Sequence, residues 1–171
     1  MSKERFLIDA NSLITPYLNF YPFDFAKGFW DQLERHIVNG NIAILDLVKD
    51  EVLEGKDSLK DWMRSITIGE VIDRRNPRIL EYYSCVLESI NKNSCYKSSA
   101  LTEWAKATVA DPWLIAAAKA NGFTVITFEL PINGLNSRNP SKCAKIPDVA
   151  NIFGVKTENL FYMMRVLGFK L

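Results

Sequence analysis

Asp111-Pro112-Trp113-Leu114-Ile115-Ala116-Ala117-Ala118-Lys119-Ala120-Asn121-Gly122-Phe123-Thr124-Val125-Ile126-Thr127-Phe128-Glu129 is the stretch on which the fold turns. Asp111 reads as an N-cap with proline at the first helical position, and Asn121-Gly122 reads as the helix end. Phe123 to Phe128 is β-branched and apolar, the strongest strand signal in the chain. The stretch therefore predicts a helix feeding a buried strand, with a carboxylate at each outer end.

The same logic runs toward the N-terminus. Arg5-Phe6-Leu7-Ile8 is a short apolar run followed at once by Asp9-Ala10-Asn11-Ser12, a strand ending in a polar turn and a helix start. Apolar spacing is helical from Phe25 to Val38, and Asn41-Ile42-Ala43-Ile44-Leu45 is a further strand, with Leu47 to Leu53 helical up to Gly55. Helical patterns fill Leu59 to Ile66, Pro77 to Ile90 and Ser99 to Lys106. Residues 129–145, with two prolines and several Asn and Ser, read as a long loop before Ile146-Pro147-Asp148-Val149-Ala150 and a last helix near Glu158 to Leu167. Strands separated by helices imply an α/β fold with a central parallel sheet of three or four strands and helices on both faces, in one domain over residues 1–171.

Composition narrows the chemistry. The chain has 171 residues, 48% of them hydrophobic, and a net charge of +1 from 21 basic and 20 acidic residues, so any polyanion must be held locally. Three cysteines without a Cys-x-x-Cys pair argue against a disulfide framework and a thiolate zinc site, and fit a reducing cytosol. Met1-Ser2-Lys3-Glu4-Arg5 has no apolar run behind it long enough for a signal peptide, and no later run suits a membrane span, so a cytoplasmic protein without membrane contact is expected. His36 is the sole histidine and lies in a helical pattern, which excludes paired-histidine catalysis and metalloprotease motifs.

Ligands of open parallel sheets bind beyond the carboxyl ends of the strands. Asp9 and Glu129 follow strands directly, and Asp111 begins the helix that returns to the second of them, which puts all three on one edge. Capping explains Asp9 or Asp111 taken singly, and solvation explains Glu129. Together they would repel one another unless a cation intervened, and an oxygen-only site suits Mg²⁺ or Mn²⁺. Such a site activates water and offsets charge on a phosphoryl oxygen, with one ion or two. Asn11 and Ser12 are candidates for ordering water there, although capping accounts for either equally well.

These residues resemble the PIN-domain nuclease family. Phe6-Leu7-Ile8-Asp9-Ala10-Asn11 is similar to its opening strand and first aspartate, and Leu47-Val48-Lys49-Asp50-Glu51-Val52 to the helix bearing its second acid. Asp111 through Ala118, with Thr124-Val125-Ile126-Thr127-Phe128-Glu129, resembles its third aspartate and Thr-x-acid ending, except that Glu129 stands where the family usually has aspartate. Lys145-Ile146-Pro147-Asp148-Val149 and Met164-Arg165-Val166-Leu167-Gly168 place the chain in an uncharacterised stand-alone branch. The resemblance implies a three-layer α/β/α sandwich and a divalent metal on Asp9, Glu51, Asp111 and Glu129. It further implies Thr127 ordering substrate or water at that site, RNA cleavage, and a toxin paired with a small antitoxin protein, often as a homodimer. Adjacent helix residues point about 100° apart, so Asp50 or Glu51 faces the site but not both; the resemblance selects Glu51, with Asp50 and Asp148 in reserve.

Other readings lack their defining residues. A strand–Asp-x-Asp phosphotransferase needs a carboxylate where Asn11 stands, a receiver domain needs a late lysine, and nucleotide binding needs a glycine-rich loop. The serious rival is a PIN-like module that binds RNA or a protein partner without cutting, favoured by the weak net charge. Local cations for RNA are Arg74, Arg75, Arg78, Arg138, Lys142 and Lys145; Trp62 and Trp104 suit either base stacking or core packing.

Overall fold

The computed structural model of the chain describes residues 4–66 and 71–171, so Met1 to Lys3, where the targeting reading began, lie outside it. Its centre is a parallel sheet of five strands: β1 (Phe6–Ile8), β2 (Ile42–Leu45), β3 (Val71–Ile72), β4 (Thr124–Ile126) and β5 (Thr157–Glu158), in the spatial order β3-β2-β1-β4-β5. Every residue of β1, β2 and β4 is buried, as expected of strands covered on both faces. Those three match the predicted runs to within two residues. The edge strands β3 and β5 were not predicted, because two residues are too few to carry a period.

Helices α1 (Asn11–Thr15), α2 (Lys27–Val38), α3 (Asp46–Glu54), α4 (Ser58–Ser65), α5 (Pro77–Lys92), α6 (Ser98–Trp104), α7 (Asp111–Asn121), α8 (Ile146–Ile152) and α9 (Leu160–Leu167) connect and cover the strands. This is the PIN-like α/β architecture that the sequence resemblance implied. A π-helical turn, Pro16–Phe20, continues directly from α1. Helix α7 is buried all round from Pro112 to Ala118, and its three alanines let neighbours approach closely. It packs chiefly on α5, where Tyr83 stacks on Trp113 with ring centroids 3.6 Å apart. Gly122 ends α7 in the left-handed region at φ 72°, so the chain turns straight into β4.

The aromatic residues on the other side serve packing. Trp30 is 2% exposed and is flanked by Phe23, Phe29 and Trp62. Trp62 packs partly buried against this core, and Trp104 is 2% exposed, so both serve packing. His36 stacks on Phe169, and Cys85, Cys95 and Cys143 are free thiols. No described helix is long and apolar enough to cross a membrane.

Topology fixes where a site can form. From β1 the chain steps outward to β2 and β3, then crosses back to place β4 and β5 on the other side. β1 is therefore the switch point, and the carboxyl end of the sheet opens there into a crevice.

Candidate active site

Asp9 follows β1 at this switch point and is 5% exposed. Its Oδ2 accepts a hydrogen bond of 3.0 Å from the hydroxyl of buried Thr127, one residue beyond β4. The Asp9 backbone N–H donates to Ile126 O at 2.9 Å, so main chain and side chain are both anchored to the neighbouring strand. Thr127 Oγ1 in turn accepts from Glu129 N–H at 3.1 Å. Thr127 thus positions two acids at once.

Asp111 differs from the sequence expectation in one respect. It is the first helical residue of α7, Ala110 precedes it at the cap position, and no side chain caps that terminus. Its carboxyl lines a cleft of about 360 Å³ together with Glu51, Glu129 and Lys145. Asp9 is not a cap for α1 either; Ala10 occupies that position. With the capping explanation gone, burial of these two carboxylates needs another reason.

Electrostatics shows what burial and proximity do. Asp111 is pushed up from 3.8 to about 7, first by burial and then by Glu129 and Asp9, with Lys145 pulling the other way. Asp9 rises from 3.8 to about 6, again first by burial, opposed by the Thr127 hydrogen bond and reinforced by Glu129 and Glu51. Glu51 lies exposed on α3 at the cleft mouth, its own carboxyl raised by partial burial and then by Glu54. Asp50, its neighbour, is also exposed and does not line the cleft.

Glu129 is held in a way that the sequence did not indicate. Lys145 Nζ donates to Oε1 at 2.7 Å, and Ile146 N–H, at the start of α8, donates to Oε2 at 2.8 Å. Both oxygens are therefore engaged, and the extra methylene relative to aspartate is what spans to the far side of the long loop. The hydrogen bond to Glu129 also raises the Lys145 pKa. The signal in sequence was a lone lysine before Ile146-Pro147, indistinguishable from a solvated loop cation.

The structure gives Ser12 and Asp148 partners other than those expected. Ser12 is fully buried and its hydroxyl donates to Ile126 O at 3.2 Å, so it ties α1 to β4 and does not order solvent. Asn11 is exposed at the start of α1. Asp148 accepts from Ile132 N–H at 2.9 Å and lines a separate cavity, where it fastens the 129–145 loop, so it is no reserve ligand of this cleft. Of the cations proposed for RNA, Arg74 pairs with Asp46 at 3.0 Å and Arg75 with Asp73 at 2.8 Å, while Lys145 alone lines the cleft.

The fit to a divalent cation is divided. Among the described residues no three carboxylate, thiol or imidazole side chains stand close enough to hold an ion as arranged. Yet the donor set is entirely hard oxygen, Asp9 is buried and Asp111 partly buried, and neither has an ion pair of its own among the described residues. These two fit a Mg²⁺ or Mn²⁺ ion by charge and donor type, and Glu51 lines the same cleft as Asp111. Glu129 fits only on release from Lys145.

Comparison with known proteins agrees on the fold. The sequence matches the model of a domain of unknown function, DUF4411, over residues 6–171. No curated protein matches it by sequence. The structure is similar to a chain in VapBC2 from Rickettsia felis bound to a DNA fragment from their promoter, with a TM-score of 0.50 and 16% identity over 90% of this chain and 97% of that one. It is similar also to a chain in DNA-bound VapBC from Salmonella typhimurium, with a TM-score of 0.51 and 15% identity over 91% and 98%. At these identities the likeness is one of fold.

Proposed function

The chain belongs to the DUF4411 family, and from the acids its fold gathers at the switch point we propose that it is a divalent-metal-dependent ribonuclease, hydrolysing RNA phosphodiester bonds with water. The observation that carries this reading is the convergence at the carboxyl edge of the sheet of acids from segments far apart in sequence: buried Asp9, tied to Thr127 beyond β4, and partly buried Asp111, which shares its cleft with Glu51 and Glu129 and is raised by burial, Glu129 and Asp9. Buried charges of one sign persist where function requires them. The likeness to VapBC structures supports the same direction, and also a small antitoxin protein as partner.

In this reading Asp9 and Asp111 would hold the cation, with Glu51 as a further ligand from the cleft mouth and Glu129 as another if released from Lys145. Mg²⁺ or Mn²⁺ bound there supplies Lewis-acid charge for a phosphoryl oxygen and lowers the pKa of water toward neutrality. Thr127 keeps Asp9 in one rotamer throughout, through the 3.0 Å hydrogen bond. Lys145 would meet the incoming phosphate, since its ammonium already lines the cleft. The hydrophobic walls given by Trp104, Val109 and Ala110 limit water around the reacting atoms.

The test is cleavage of single-stranded RNA by purified protein. Activity is expected with Mg²⁺ or Mn²⁺ and absent in EDTA, and Asp9→Asn and Asp111→Asn are each expected to abolish it while circular dichroism stays unchanged. Cleavage without metal, or cleavage surviving both substitutions, would overturn the proposal. Saturable, salt-sensitive RNA binding with no cleavage under any metal would favour the non-cutting module.

A further inference from the structure

Glu129 is a partition between two cavities. On one side lies the acidic cleft; on the other a cavity of about 470 Å³ is walled by Phe128, Leu130, Pro131 and Phe161, with Glu158 and Asn159 also in its lining. Thr127, the residue that orients Asp9, borders this second cavity too. The rings of Phe20, Phe128 and Phe161 stand in a triangle, with centroids 6.2, 6.2 and 6.5 Å apart. Phe20 is 43% exposed and Leu130 77% exposed, so this aromatic corner faces solvent at the edge of the cavity.

We propose that this cavity is a binding site for one unpaired base of the RNA strand whose phosphate lies in the acidic cleft. The inference rests on the reading of that cleft as an RNA site. The volume falls in the range of roughly 300–1,000 Å³ typical of small-ligand sites. Its chemistry selects the part of a nucleotide that enters: among the described residues the lining carries two carboxylates and no cation to hold a phosphate, whereas a neutral, flat base gains from aromatic faces whatever its identity. Because the two cavities share Glu129, a strand crossing the cleft places a neighbouring base against Phe128 and Phe161 without leaving the surface. Stacking of this kind compensates for the near-neutral charge of the chain, which offers few phosphate contacts.

The experiment compares two single-stranded hexamers, r(A)6 and a hexamer of tetrahydrofuran abasic units with the same phosphates, binding to the full-length Asp9→Asn protein in Mg²⁺. Fluorescence anisotropy is expected to show r(A)6 bound at least about tenfold more tightly, the contribution of one stacked base. Phe161→Leu, which keeps an apolar side chain in the wall, should weaken r(A)6 about tenfold and leave the abasic hexamer unchanged. Phe128→Leu should do the same, and thermal melting checks that both variants fold.

Equal binding of the two hexamers, or equal weakening of both by the leucine variants, overturns the pocket and leaves the nuclease reading intact. A base requirement that Phe161→Leu removes, in a protein that cuts no RNA, upholds the pocket and sinks the nuclease. No binding of either hexamer and no cleavage defeats both. A concentration-dependent dimer that Phe161→Leu dissolves, with RNA binding unaffected, assigns the rings to a second copy and overturns the pocket.

Discussion

Replacing Asp111 by asparagine should make the metal-free protein more stable, and the size of the gain follows from its surroundings. A carboxyl whose folded pKa lies above its unfolded value opposes folding once the unfolded chain begins to ionise. For Asp111 the ordinary value is 3.8 and the folded value about 7. Stability is therefore lost progressively as pH rises from about 4, and the full penalty is present above about 7. At about 1.4 kcal/mol per pH unit the interval corresponds to roughly 4 kcal/mol, and the residual exposure of Asp111 lowers this to about 2–4 kcal/mol. Asparagine has nearly the same shape and no charge, so the penalty disappears with the substitution.

For a chain of this length such a gain raises the melting temperature by on the order of 10 °C. The assay is thermal unfolding of the wild type and Asp111→Asn in EDTA at pH 8 and at pH 4. The variant should melt higher at pH 8, and the two should converge at pH 4, where the wild-type carboxyl is neutral in the folded state and half neutral in the unfolded one. Mn²⁺ should raise the wild-type midpoint at pH 8 and leave the variant nearly unchanged, because only the wild type offers the paired carboxylates. The reasoning is refuted by a variant no more stable than wild type at pH 8, or by a gain of the same size at both pH values.

Further outcomes follow from individual contacts. Thr127→Val removes a buried donor to Asp9 and the acceptor for Glu129 N–H; it should cost about 1–3 kcal/mol in urea unfolding and move the Asp9 titration upward in carbon-13 NMR. Lys145→Met breaks a partly exposed ion pair and should cost no more than about 1 kcal/mol, yet Asp111 should titrate at higher pH, since Lys145 lowers it; an unmoved Asp111 titration would contradict the cleft geometry. Leu114→Ala, at a fully buried position in α7, should cost about 2–5 kcal/mol in urea unfolding.

The legible parts of the fold were those in which several residues repeat one preference. Phe123 to Phe128 and Ile42 to Leu45 are long enough for burial on both faces to show as continuous apolar runs, and Pro112 with Gly122 brackets α7. Val71–Ile72 and Thr157–Glu158 become strands only because a neighbouring strand offers its hydrogen-bonding edge, and no local preference announces that. The acidic residues on the sheet edge were likewise readable, because position after a strand is a property of the chain itself. Their partners were not. Lys145 reaches Glu129 across a loop whose path depends on Ile132 bonding to Asp148 and on Ser141 pairing with Cys95, contacts made only in three dimensions. Ser12 illustrates the converse: its hydroxyl could serve solvent or backbone, and only the nearness of Ile126 O decides.

The placement of β1 between β2 and β4 also has a temporal side. Asp9 leaves the ribosome early, but the hydroxyl that orients it is 118 residues further along, and the backbone N–H that secures Glu129 belongs to Ile146. Until that residue has emerged from the exit tunnel, a nascent chain lacks the N–H that completes the hold on Glu129. The finished cleft is therefore a late product of translation, complete only once the chain has been read past residue 146.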